Sequence, residues 1–146
     1  MSQHPLIGGL IVTHGQLGHE LVAAAEMIVG EISHIVSVSI GWYDDVNQSK
    51  KDIEEAVRTI DAGKGVIILT DMFGGTPSNV TLSLLKKDKV EIVTGVNLPM
   101  IVRLATQIEQ DSLSELATKV RDQGQSHISM ASEFLEHDSP SGPNRE

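Results

Sequence analysis

The stretch LIGGLIVTHGQLG, residues 6–18, sets an apolar run directly against a histidine and a glycine turn. Its core, GGLIVT (8–13), is short and continuously apolar, the pattern of a strand covered on both faces. Such strands belong to parallel sheets with helices packed on either side. Thr13-His14 end the run, and Gly15 turns the chain at once. In open α/β sheets, ligands bind outside the carboxyl ends of the strands, which is where His14 falls.

Outward from there, strand and helix patterns alternate. Leu21, Ala24, Ala25 and Ile28 recur at helical spacing from Leu17, and Gly30 suits the stop. HIVSVSI (34–40) alternates as a second strand. NQSKKDIEEAVRTIDAG opens with Asn47 as a cap, carries Ile53, Val57 and Ile60 on one face, and stops near Gly63. GVIILTD (65–71) is the most apolar strand of the chain. TPSNVTLSLLKKD (76–88) reads as a helix with Thr76 as N-cap and Pro77 in the first turn. VEIVTG (90–95) is a fourth strand, followed by a helix from Pro99 and another from Ser112 to Gly124. Four strands, each followed by a helix, make an α/β fold with one mainly parallel sheet and helices on both faces. SHISMAS (126–132) departs from this, because Ile128 and Met130 alternate with polar neighbours as in an extra strand. Residues 138–146, DSPSGPNRE, have the composition of a disordered tail.

Composition narrows the function. A chain of 146 residues fits one domain, and with 40% hydrophobic residues it has enough for a core. One Trp, one Tyr and two Phe leave that core to Val, Ile, Leu and Ala. With no cysteine there is no disulfide, thiolate metal site or Cys nucleophile, which agrees with a reducing cytoplasm. A formal net charge of −9 without a basic cluster argues against nucleic-acid binding and against attachment to anionic membranes. No apolar stretch reaches the roughly 18 residues of a membrane span, and MSQHP lacks a basic signal-peptide start. The expectation is a cytoplasmic domain without membrane insertion.

Three strand-end loops carry the chemistry: Thr13-His14-Gly15, Asp71 through Thr76, and Gly95 through Pro99. If the first and third strands are neighbours, Asp71 faces His14. A carboxylate bonded to one ring nitrogen fixes the tautomer and leaves the other nitrogen as an oriented nucleophile. Gly74, Gly75 and Thr76 lead into a helix whose free N–H groups and dipole suit phosphoryl oxygens. Together these point to transient phosphorylation of His14. Taken singly, each residue has a plainer reading: a structural histidine, a turn-capping aspartate, a helix start at Thr76-Pro77 and a turn at Gly95–Pro99. Joint placement at strand ends favours the functional one. The spacing of His14 and His19 is poor for two ligands on one helical face, so no metal site is expected. A hydrolase lacks its nucleophile elbow, and a phospho-aspartate receiver would need an acidic pair where Thr13-His14 stand. A non-catalytic module binding a phosphorylated metabolite in the same cradle is the alternative of a different class.

VTHG (12–15), VIILTDMFGGTPSNV (66–80) and VTGVNLPM (93–100), in this order and spacing, resemble the mannose-type enzyme IIA of the bacterial phosphoenolpyruvate-dependent phosphotransferase system, the mannose/fructose/sorbose family. The resemblance covers residues 6 to 135, so the domain is placed at 1–137. It implies strand order 2-1-3-4 and phosphorylation of His14 on Nε2, with Asp71 on the opposite nitrogen. It also implies a phosphoryl-binding loop at Gly74, Gly75 and Thr76, where Thr76 stands at a position that some members fill with Ser. Thr13, Gly15, Asn97, Leu98 and Pro99 would form the rim. The implied donor is phosphorylated HPr, with no cofactor and no metal. The acceptor would be a separate IIB protein, serving sugar uptake, or the phosphoryl state would signal to a regulatory target. Family members are homodimers that exchange a late strand, the role this assigns to an antiparallel strand at 126–132.

Overall fold

The apolar run after residue 7 forms an inner strand, β1 (Gly8–His14), of a four-stranded sheet in the computed structural model, which describes residues 5–41, 45–72 and 80–138. The chain continues through α1 (Leu17–Val29), β2 (Ile35–Ile40), α2 (Val46–Ile60), β3 (Val66–Thr70) and β4 (Val90–Thr94). Three helices follow: α3 (Leu98–Ala105), α4 (Leu113–Ser126) and α5 (Ala131–Asp138). All strand pairs are parallel, in the order β2-β1-β3-β4. That is the expected fold class and order.

The two-residue period of the strands sorts their side chains onto two cores. Ile11, Ile67 and Leu69 face one layer, where they meet Ala25 of α1, Met100, Ile101 and Leu104 of α3, and Leu116 and Val120 of α4. Leu10, Val12, Val66 and Ile68 face the other, where Ile53, Val57 and Ile60 of α2 pack with Val80 and Leu84. Each fully buried aliphatic side chain of this kind contributes about 1.5–3 kcal/mol by leaving water. The inner strands are thus apolar on both faces, whereas β4, at one sheet edge, is only half-buried.

Several local expectations are corrected. The cap of α2 is Asp45, not Asn47: its extended backbone places a carboxylate oxygen 2.9 Å from the Asn47 N–H, which it accepts. Ile28, expected on the buried face of α1, is exposed; Leu21 and Ala25 hold that face as expected, joined by Val22. Within 80–88, helix persists only over residues 80–82. Lys86 and Val90 then form an antiparallel bridge, and Asp88 takes φ +63°, a left-handed turn that no helix accommodates. The helix from Ser112 runs two residues past Gly124, to Ser126. No strand forms over 126–132. Ser126 ends α4 and Ala131 begins α5. Ile128 and Met130 are 76% and 64% exposed, so no buried face enforces a pleat, and among the described residues no strand pairs with this segment. Residues 139–146 of the expected tail lie outside the described residues, and Asp138 closes α5.

Candidate functional site

Strand order sets the site. Because β1 lies between β2 and β3, its last residue meets the loop after β3; the register pairs Val12 with Thr70 and His14 with Ile40. Asp71 follows Thr70 directly and turns its carboxylate onto His14. Oδ2 of Asp71 accepts two hydrogen bonds from that one residue, from the backbone N–H at 3.0 Å and from ring Nδ1 at 2.9 Å. Oδ1 accepts the Met72 N–H at 2.8 Å.

Partial burial pushes the Asp71 carboxyl up, but the ring and backbone hydrogen bonds of His14, the Met72 N–H and the charge that the ring carries when protonated outweigh it, and the group ends below the ordinary carboxylate range. An ionised carboxylate only accepts hydrogen bonds, so Nδ1 of His14 carries the proton. The lone pair of the neutral ring is then on Nε2. The His14 side chain is 51% exposed while that of Asp71 is 11% exposed. A macromolecule can reach the imidazole, and the orienting carboxylate is sheltered behind it.

The turn carrying His14 is held at both ends. Gly15 takes φ +54°, open to glycine at little steric cost, and its N–H donates to Ile40 O at 3.0 Å. Thr13, expected at the rim, is fully buried; its Oγ1 accepts the Gly18 N–H at 2.7 Å. Asn97 is also committed elsewhere. Its Oδ1 accepts the Met100 N–H and its Nδ2 donates to Gly124 O, both at 3.2 Å, so it caps α3 and ties that helix to α4. Leu98 and Pro99 are half-buried in the first turn of α3. The structure therefore brings His14, Gly15 and Asp71 together and turns Thr13 and Asn97 to internal bonds. Gly74, Gly75 and Thr76 lie outside the described residues.

Two features escaped the sequence reading. The Val96 N–H donates to Thr70 O at 2.9 Å, binding the loop after β4 to the residue preceding Asp71. Met72, in the loop after β3, and Leu17, at the first position of α1, are exposed apolar side chains next to the site along the chain, and no periodicity marks them. Elsewhere, Nε2 of half-buried His34 lies 3.4 Å from Leu104 O; burial lowers its pKa and that bond partly offsets the shift. Among the described residues, no three His, Cys, Asp or Glu side chains are grouped to hold a metal ion, and no helix is long and apolar enough to cross a membrane.

Residues 8–121 match the family described as "PTS system fructose IIA component". The "PTS system fructose-specific EIIA component" of Bacillus subtilis (strain 168) is 27% identical over 132 residues, 90% of each chain. The "PTS system mannose-specific EIIAB component" of Escherichia coli (strain K12) is 31% identical over 126 residues; the match covers 82% of this chain and 38% of that protein. Among solved structures, phosphotransferase system component EIIA from Streptococcus agalactiae superposes with a TM-score of 0.78 at 26% identity, covering 88% of this chain and 99% of that one.

Proposed function

This chain belongs to the family of PTS system fructose IIA components, and from that premise we propose that it is a phosphoryl carrier acting through His14. The supporting observation is the double hydrogen bond from His14 to Asp71 Oδ2, which leaves Nε2 as the unprotonated nitrogen of a half-exposed ring. The donor is the phosphohistidine of HPr. The Nε2 lone pair attacks phosphorus in line, a new N–P bond forms, and the donor's N–P bond breaks with its electron pair returning to the donor ring. His14 keeps its Nδ1 proton and becomes a phosphorylated imidazolium, and the adjacent carboxylate offsets that charge. Because one phosphohistidine replaces another, the step is readily reversible. The loop at Gly74, Gly75 and Thr76 is assigned to the phosphoryl oxygens through its N–H groups and the Thr76 hydroxyl.

The phosphoryl group then passes to a separate IIB protein for sugar uptake, or its presence is read by a regulatory target. Fructose and mannose both appear in the relatives' names, so the class of cargo is carried over and no single sugar is. A cytoplasmic homodimer completes the proposal. Its interface is β4's edge, where a groove of about 500 Å³ is lined by Leu82, Leu85, Ile92, Ala117 and Arg121 among others. The occupant is the partner copy's segment around Ile128 and Met130, exposed in the single chain.

The test is intact mass after incubation with phosphoenolpyruvate, enzyme I and HPr, beside His14→Ala. One added phosphoryl group, acid-labile, alkali-stable and absent from the variant, supports the carrier. No added mass with demonstrably active donors overturns it in favour of the metabolite-binding module.

A further inference from the structure

The helix that follows His14 starts without a cap of its own. Gln16 occupies the N-cap of α1, yet its side chain makes no capping hydrogen bond. The first turn of a helix has N–H groups with no partner inside the helix, and one left buried and unpaired is costly. Here the second helical residue, Gly18, is buried, and its N–H finds an acceptor outside the turn: the hydroxyl of Thr13, five residues earlier and still on β1. Oγ1 lies 2.7 Å from that nitrogen, in a position with no solvent exposure. The fit is close. A Cβ on Gly18 would stand 3.1 Å from Thr13 Oγ1 and 3.2 Å from Ile11 Cγ2.

We propose that Thr13 is a positioning residue for His14: its hydroxyl caps α1 from the strand and so holds the imidazole in register with Asp71. His14, Gly15, Gln16 and Leu17 span the clamp between Thr13 and Gly18. Inside it the Gly15 N–H ties the chain to the neighbouring strand at Ile40 O, and Gln16 O accepts the Glu20 N–H of α1. The two bonds to Asp71 Oδ2 require the backbone and the ring of His14 to be placed together, since one oxygen receives both N–H groups. Loosening the clamp lets the ring leave the carboxylate, and the proton then distributes between Nδ1 and Nε2. The nucleophile loses its orientation although every reacting group is still present. Misplacement of reacting groups by about 1 Å costs up to about a hundredfold in rate.

This inference rests on the carrier reading for its kinetic arm, but its structural arm stands apart from it. Thr13→Val keeps the side chain's shape and removes the acceptor; Thr13→Ser restores it. Using the full chain with ¹⁵N-labelled histidine, the ring spectrum of His14 is compared in wild type, Thr13→Val and Thr13→Ser. A thermal melt checks that each is folded, and phosphorylation by HPr is timed. The expected result is a cooperatively melting Thr13→Val whose His14 spectrum moves from the Nδ1–H form toward a tautomer mixture. Its phosphorylation slows by about tenfold to a hundredfold, and Thr13→Ser recovers both spectrum and rate. If Thr13→Val unfolds, Gly18→Ala tests the same bond by crowding it. A folded variant with the wild-type ring spectrum overturns the positioning role, whatever its rate. If even wild type takes no phosphoryl group the carrier reading falls, and the ring spectra alone decide the role of Thr13.

Discussion

At the scale of single residues, the pairing of His14 with Asp71 makes the sign of the charge at position 71 testable. Asp71→Asn keeps the shape of the side chain while removing the charge that, in the proposed carrier, offsets the phosphorylated ring. We expect phosphorylation by HPr to slow by about a hundredfold or more, the scale seen when a preorganised electrostatic partner is lost. A transfer rate equal to wild type would remove Asp71 from the mechanism. Because its pKa lies below the ordinary range when folded, the Asp71 carboxylate contributes stability that is complete above about pH 4 and is lost as pH falls through the depressed value. Urea melts between pH 2 and 7 should show a smaller acid-side loss in Asp71→Asn than in wild type. The contact between His14 and Asp71 is legible in the sequence because each follows an apolar run, and neighbouring parallel strands bring such ends together. Thr13 lies inside the fold rather than at the rim, and alternation holds the reason. Ile11 belongs to the core under α1 and α3, and a residue two further along the strand shares its face.

At the scale of elements, the turn leading into α4 carries the second ionic test. Asp111 is buried, accepts the Ile108 N–H at 3.3 Å and lies 2.6 Å from Lys119 Nζ. Burial pushes its carboxyl up, but the Lys119 bond, the Ile108 N–H and the charges of Lys119 and Arg103 bring it below the usual range. Its contribution is therefore full at neutral pH and lost on acidification. Asp111→Ala removes the acceptor shared by the part-buried Ile108 N–H and the Lys119 ammonium and should lower stability by about 1–3 kcal/mol at pH 7, measured by urea unfolding. One residue on, Ser112 and Glu115 form a reciprocal capping box. Ser112→Ala should cost about 1 kcal/mol by the same measurement, with phosphorylation unchanged, since this helix start is no part of the site. That start was legible because Ser followed three residues later by Glu is a local signal. The N-cap of α2 was displaced by two residues because Asp and Asn both cap, and only backbone conformation chooses between Asp45 and Asn47. The alternation at 126–132 misled for a different reason. Over so few residues a period of two is weak, and a strand needs a neighbour that the described residues of the single chain do not supply.

At the scale of the whole molecule, the sheet order leaves β2 and β4 as edges, and the two are not equivalent. The groove along β4 is lined by Leu82 and Leu85 and by Ala117 and Arg121 of α4. Immediately after α4 come Ile128 and Met130, then Phe134 and Leu135, all exposed. An exposed edge beside exposed apolar residues is an association hazard in a monomer, and pairing with a second copy relieves both at once. The expected outcome in sedimentation equilibrium is a particle of twice the 15.7 kDa chain mass. Met130→Asp and Leu85→Asp sit on the two halves of the proposed contact, segment and groove, so each should yield monomer. Neither touches His14, Asp71 or Thr13, which one chain supplies together. Both monomeric variants should then still take one phosphoryl group, and any loss should appear in transfer onward rather than in acceptance. A wild-type chain that sediments as monomer at tens of micromolar would remove the dimer from the proposal while leaving the carrier chemistry in place. A dimer that survives both substitutions would move the interface to another face.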